Sequence, residues 1–300
     1  MSTHARSFRW AGALLSPHQL DRAAVIYAFC RLVDDLADEA PDPDTARTDL
    51  ARVRAQIQDG GPTDPLVTAA RDVLEDGGAG IGPALHLLDG VTSDLDPVLV
   101  PDDAGLHRYA YQVAGTVGLM MCAVLGVQQT TALPFAVDLG VGMQITNICR
   151  DVLEDAVRGR VYLPATRLRQ RGLEPERLIQ AAQNGPDLTG EERASLSAVV
   201  TDLINEADRY YASADQGMRW IPWRSRLAIR VASRVYRAIG VKLRSNGGDA
   251  WAGRTRVGMW GKVRWTLAAL VLTIRSMVRG HPTHQTELHR NLRDLPGCQA

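Results

Sequence analysis

The stretch Tyr27-Ala-Phe-Cys-Arg-Leu-Val-Asp-Asp-Leu-Ala-Asp-Glu39 decides how the rest of the chain is read, because of how its acids are spaced. Asp34 and Asp38 stand four residues apart, so on a helix they project from one face about one turn, roughly 6 Å, from each other. At about 100° per residue, Tyr27, Arg31, Asp34 and Asp38 share one narrow sector. Val25, Phe29, Leu32 and Leu36 form an apolar stripe on the opposite side, which predicts a helix packed on a core. Like charges one turn apart destabilise a helix by about 0.2–0.5 kcal/mol unless water or a cation neutralises them. Alone, the pair reads as a solvated acidic face. A second stretch of the same design changes that reading.

Gln144-Ile-Thr-Asn-Ile-Cys-Arg-Asp-Val-Leu-Glu-Asp155 again places two aspartates, Asp151 and Asp155, four apart. Asn147 precedes Asp151 by four and Gln144 precedes Asn147 by three, so all four project within about 80° of one another. Ile145, Ile148 and Val152 lie on an adjoining sector that can hold the helix in a core. Two such helices packed face to face would enclose four carboxylates, which costs many kcal/mol without a counter-ion. Hard divalent cations solve that problem: Mg²⁺ takes one or two carboxylates and completes its shell with water and phosphate oxygens. The deduction is a site for a diphosphate, with Arg31, Arg150 and Arg158 as candidates to share the anionic load. No glycine-rich phosphate cradle and no Cys/His cluster offers another route.

Outward from these stretches the pattern is helical throughout. Helices are expected over 17–39, 45–58, 66–75 and 83–94, and a long one from Pro101-Asp-Asp103 to Leu125. A further helix is expected from Leu133 to Glu154, one from Pro175, one over 190–211 and one over 225–244. No stretch alternates with the period of a strand, and no linker of low complexity divides the chain, so one all-α domain over 1–300 is expected. Gly115 and Gly118 cost about 1 kcal/mol each in a helix interior and signal close approach of a backbone or a ligand, or a kink.

Composition narrows the function. With 45% hydrophobic residues in 300, a full core can form, and the 34 basic and 34 acidic residues cancel. A balanced charge argues against a nucleic-acid partner. The four cysteines are far apart with no CxxC pair, which reads as reduced core thiols in a cytoplasmic protein. No signal-peptide pattern is visible, and no run of about 18 uncharged apolar residues predicts a span. The 263–279 segment, apolar and flanked by Lys262, Arg264, Arg275 and Arg279, reads as a buried C-terminal helix. Its alternative is a helix lying peripherally on the inner face of a membrane.

Taken together, these motifs resemble the squalene/phytoene synthase family. The resemblance rests on Ser7-Phe8, Tyr27–Asp38, Tyr109-Ala-Tyr-Gln-Val-Ala-Gly-Thr-Val-Gly118, and Asn147–Asp155 followed by Arg158-Gly-Arg-Val-Tyr-Leu-Pro164. It implies a single all-α, isoprenoid-synthase-type bundle around a central cavity, joining two prenyl diphosphates head to head through a cyclopropylcarbinyl diphosphate. By the same resemblance, Asp34, Asp38, Asp151 and Asp155 would hold Mg²⁺ (Mn²⁺ as the alternative), with Asn147 as a further ligand. Arg6, Ser7, Arg31, Gln144 and Arg254 would contact diphosphate, and Tyr109 and Tyr236 would lie near the reacting centre. Phe8, Val113, Ala114, Val117, Gly118, Leu119 and Leu139 would shelter the cation, Gly115 and Gly118 making room for a polyprenyl chain. The pattern around Tyr236-Arg-Ala-Ile-Gly240 is most similar to bacterial phytoene synthases, which implies two C20 geranylgeranyl diphosphates and no need for NADPH. Squalene, dehydrosqualene or hopanoid-pathway synthesis from C15 farnesyl diphosphate is the alternative. A catalytically inactive binding protein is disfavoured because all four aspartates are present.

Overall fold

A computed structural model of the chain describes residues 15–60, 64–127, 129–253 and 283–299. Arg6, Ser7, Phe8, Arg254 and the 263–279 segment lie outside the described residues. The first three helices start where a side chain caps them. Ser16 accepts from the Gln19 backbone while the Gln19 side chain returns the bond, and Pro17 fills the first turn of α1, Pro17–Asp38. Asp42 caps α2, Pro43–Asp59, and Asp64 caps α3, Pro65–Asp76, each with a proline in the first turn. The bundle continues with α4 (Gly82–Ser93), α5 (Asp103–Ala110), a π-helical segment Tyr111–Gly115, and α6 (Thr116–Leu125). Then follow α7 (Leu133–Arg150), α8 (Val152–Val157), α9 (Ala165–Arg169), α10 (Pro175–Gln183), α11 (Gly190–Gly217) and α12 (Trp223–Ser245). Among the described residues there is no strand, only an isolated parallel bridge between Leu99 and Val161.

The all-α expectation therefore stands, with two of the long helices corrected. The 101–125 helix is broken by the π segment, where the Thr116 N–H reaches back to the Tyr111 carbonyl. The 133–154 helix is interrupted at Asp151, whose φ of −105° and ψ of 15° end α7 before α8 restarts. The backbone bonds from Asp151 to Asn147 and from Asp155 to Asp151 persist across the break, so the acidic residues stay in near-helical register.

Helix α7 is the axis of the molecule. It packs along α11 and also meets the π segment, α6 and α12. Val137, Val141, Ile145 and Ile148 of α7 interlock with Val199, Val200, Leu203 and Ala207 of α11 in the larger core. A second core joins α1 to α2, α3, α4 and α6 through Phe29, Leu50, Ile57, Leu74, Leu88 and Met120. The fully buried face of α1 is Ile26, Phe29 and Val33, while Val25, Leu32 and Leu36 are half-buried at its flanks; the expected stripe is turned slightly. One described helix, Thr130–Arg150, is apolar and long enough to cross a membrane, and 67% of its apolar window is buried inside the bundle, as suits a core helix.

The close glycines serve this packing. A Cβ on Gly118 would stand 2.3 Å from the Ala136 carbonyl oxygen, and one on Gly140 would stand 2.2 Å from that of Ala114. The room left by these missing side chains is taken by α7 lying against the π segment and α6. That corrects the expectation that Gly115 and Gly118 make room for a polyprenyl chain: Gly115 faces Tyr111 and Val137.

Candidate active site

The two acidic stretches converge. Asp34 and Asp38 from α1 meet Gln144, Asn147, Asp151 and Asp155 from α7 and α8 around a cavity of about 160 Å³. Tyr109, at the end of α5 one residue before Ala110 and the π segment, closes another side. A π turn adds a residue to the helical repeat and re-aims the side chains around it, and such turns are frequent at functional sites. The remaining walls are Asp94, Arg160 and Tyr162, with Ala37, Val91 and Ile148 as the apolar part.

Asp94, Arg160 and Tyr162 were not singled out by spacing. The loop after α8 turns at Gly159, whose φ of 76° suits glycine. It then lies along 98–100, with the Val161 N–H on the Val98 carbonyl and the Val100 N–H on the Val161 carbonyl. That short pairing fixes Arg160 and Tyr162. Tyr162 Oη donates to Asp94 Oδ1 at 2.8 Å and Tyr109 Oη donates to Asp94 Oδ2 at 2.9 Å. The two rings stack, 4.6 Å between centroids and 22° between planes. Arg160 and Tyr162 belong to the Arg158–Pro164 motif, so that signal was available; Asp94 follows α4 in a stretch with no recognisable pattern.

Electrostatics mark the site as built for positive charge. Burial pushes Asp34 up to about 6, with Asp38, Asp35 and Asp94 adding and Arg31 opposing. Asp34 is open to solvent at the cavity mouth, yet its carboxyl is crowded by protein on the inner side. Burial pushes Asp155 up to about 7, reinforced by Asp151 and opposed by Arg158 and Arg160. Asp94 is raised by burial despite its two tyrosine bonds. Asn147 Oδ1 is buried with no hydrogen-bond partner, while its amide donates to Gln144 Oε1 at 3.4 Å. A buried carbonyl oxygen left unpaired among carboxylates is a ligand position. Hard oxygen donors from two helices thus fit a divalent cation of the Mg²⁺ class.

The arginines divide. Arg150 is buried and forms a forked pair with Asp151, its Nε 2.7 Å from Oδ1. Arg160 comes within 3.8 Å of Asp38. Arg31 pairs with Asp35 at 2.6 Å on an exposed part of α1, and Arg158 is exposed. Neither Arg31 nor Arg158 borders the cavity. Tyr236 on α12 is half-buried against the main core, within electrostatic reach of Arg150 and Tyr211. Val113 packs on Gly90. Ala114, Val117, Gly118, Leu119 and Leu139 also do not border this cavity, whose apolar part is Ala37, Val91 and Ile148.

The family model described as squalene/phytoene synthase matches residues 1–261. The chain belongs to the squalene/phytoene synthase family. Among curated relatives, the phytoene synthase of Pseudescherichia vulneris is 36% identical, over 92% of this chain and 90% of its own length. The 15-cis-phytoene synthase of Pantoea ananas is 32% identical, over 96% and 94%. A solved dehydrosqualene synthase with bound ligand superposes with a TM-score of 0.76 at 26% identity, covering 90% of this chain and 92% of that one. Squalene/phytoene synthases are prenyltransferases, and this chain is one by its membership. Their helical architecture is the one described above.

Proposed function

We propose that this prenyltransferase condenses two prenyl diphosphates head to head, with two geranylgeranyl diphosphates and phytoene as the substrates and product. The observation that carries the reading is the convergence of Asp34, Asp38, Asn147, Asp151 and Asp155 on one cavity, with Asn147 Oδ1 buried and unpartnered there. The identity to phytoene synthases at 36% and 32% supports the C20 product. The likeness to a dehydrosqualene synthase at 26% keeps C15 farnesyl diphosphate as the second reading.

Mg²⁺, when bound, would act as a Lewis acid on the departing diphosphate. Asp34 and Asp38 on one side, and Asn147, Asp151 and Asp155 on the other, would hold it. Arg160, beside Asp38 at the cavity wall, is placed to take part of the diphosphate charge that the metal does not neutralise. Gln144 presents an amide to the same space. Arg150 locks Asp151 in one orientation, which fixes a ligand before substrate arrives. Asp94 holds Tyr109 and Tyr162 as a rigid stacked wall with both hydroxyl protons directed at its carboxylate. Their oxygen lone pairs and ring faces are then what an allylic cation would meet, and both can stabilise positive charge. Arg6, Ser7 and Arg254 belong to the same reading as diphosphate contacts.

The test is to supply purified protein with C15 and C20 diphosphates and Mg²⁺, with and without NADPH, and to identify the hydrocarbons. Phytoene from C20 without reductant supports the reading, and product from C15 alone replaces it with the second.

A further inference from the structure

The C-terminal segment is held on the core by a cluster of ionisable groups that the clamp does not use. Asp138 lies nine residues before Asn147 on α7, about 13 Å along the helix axis, and it is fully buried. Its Oδ1 is 2.8 Å from His289 Nε2 and its Oδ2 is 2.9 Å from His284 Nε2. Ser213 of α11 donates its hydroxyl to Oδ2 at 2.5 Å. Both imidazoles are buried, with centroids 4.4 Å apart, and the three ligand atoms lie within 4.8 Å of one another. Among the described residues no Lys or Arg pairs with Asp138.

The proton inventory points to a cation here. His289 faces acceptors with both nitrogens: the Cys298 carbonyl oxygen is 3.4 Å from Nδ1, and Asp138 is at Nε2. A neutral imidazole carries one N–H, so a ring that serves the carbonyl turns its Nε2 lone pair toward the carboxylate. In that tautomer something positive lies between them, a second proton or a metal ion, whereas the other tautomer leaves the Nδ1 lone pair facing the carbonyl oxygen. A metal-bound histidine commonly gives its other N–H to a backbone carbonyl, which is the arrangement of His289. His284 Nδ1 is buried without a partner, so the polar outlet of that ring is its Nε2, directed at the same carboxylate.

We propose that Asp138, His284 and His289 form a second divalent-cation site, separate from the aspartate clamp, that takes a borderline metal of the Zn²⁺ class. Two imidazole nitrogens and one carboxylate oxygen suit Zn²⁺, whereas the all-oxygen clamp suits Mg²⁺. Metal–ligand bonds of about 2.0–2.1 Å in a tetrahedron need ligand atoms about 3.3 Å apart, so on binding the 2.8 and 2.9 Å contacts open by about half an ångström while the widest ligand pair, now within 4.8 Å, closes. Ser213 Oγ or a water fills the fourth position. The role is structural: the segment packs Leu288, Leu292, Leu295 and Cys298 into the main core, and a metal on its two histidines adds a polar tie to that apolar anchor. Tyr210 Oη donates to the Leu288 carbonyl and Tyr111 Oη to that of Pro296, both at 2.9 Å. A metal on Asp138 fastens residues 283–299 to α7 and α11, next to the π segment that follows Tyr109.

The experiment uses the full chain, stripped with a chelator and titrated at neutral pH with Zn²⁺ or Co²⁺ while excess Mg²⁺ occupies the clamp. One equivalent retained through gel filtration, a melting temperature raised by several degrees, and the visible bands of tetrahedral Co²⁺ are expected. The equivalent should be lost in His289→Ala and in the milder His284→Gln, and kept in Asp34→Asn. Wild-type protein that retains well under one equivalent overturns the proposal, whether or not either variant folds. So does binding undiminished in both histidine variants, or lost in Asp34→Asn, or thermal stability that follows pH alone and ignores the metal.

Discussion

Asp34 and Asp151 face each other across the cavity from different helices, and each is expected to fail as a neutral amide. Asp34→Asn or Asp151→Asn should lower turnover by roughly a thousandfold or more, because a hard cation loses a charged ligand where charge develops. Far-UV circular dichroism should be unchanged, since Asp34 is open to solvent and Asp151 lies at a helix break. Full activity in either variant would contradict the metal assignment. Tyr162→Phe should cost about 1 kcal/mol of stability and roughly tenfold in kcat, by releasing Asp94 Oδ1 and loosening the stacked wall. Urea titration and steady-state kinetics would check it. At this scale the four aspartates and Asn147 were legible, because i,i+4 spacing projects onto one face whatever the neighbours do. Asp94 was not: its role comes from two tyrosines 15 and 68 residues away in sequence. Asp138 was hidden likewise, because its partners lie 75 to 151 residues distant.

The elements that set the site are α7 and the π segment, and their contact is tighter than an alanine permits. Gly140→Ala would drive a methyl against the Ala114 carbonyl oxygen, 2.2 Å from the ideal Cβ position, which only a backbone shift can relieve. A loss of about 2 kcal/mol is expected, with a fall in activity because α7 also carries Gln144 and Asn147. Gly190→Ala, with nothing near its Cβ, should be tolerated on the same assay. Glycine spacing within helices announced close approach but not its object, since a missing side chain serves a ligand or a neighbouring backbone equally well. A kink near Gly115 was among the readings its spacing allowed, but the π turn itself and the break at Asp151 were not legible, because tertiary packing decides the turn type.

Between α5, α9 and α11, Glu206 accepts from His107 at 2.5 Å and from Arg167 at 2.6 Å. Although burial opposes its charge, these partners hold its carboxyl at about 2, below its ordinary 4.5. A carboxyl depressed in the folded state stabilises above its unfolded value, and that stability is lost as pH falls from about 4.5 toward 2. The depression corresponds to at most about 3 kcal/mol. Urea unfolding from pH 6 down to pH 3 should show a shallower acid loss in Glu206→Gln than in wild type. An equal slope would remove Glu206 as a source of acid sensitivity.

Across the whole molecule, two cores joined through α6 and α7 hold the acidic faces of α1 and α7–α8 opposite each other. Burial and neighbouring carboxylates together raise Asp34 and Asp155 there, a cost that a divalent cation between the two helices would relieve. The bundle class was legible from periodicity alone, and the pairing of the two acidic helices from the chemistry their carboxylates require. Chain length of the substrate was not, because it depends on the depth of packing rather than on any motif. On the proposed function, this cavity ionises a C20 prenyl diphosphate and joins two such chains. The most direct measurement is product analysis by chromatography and mass spectrometry after incubation with geranylgeranyl diphosphate and Mg²⁺, without NADPH. Phytoene, absent when the metal is chelated and absent in Asp34→Asn, is the predicted result; turnover that persists without divalent metal, or no hydrocarbon from the C20 substrate under any condition, would contradict it.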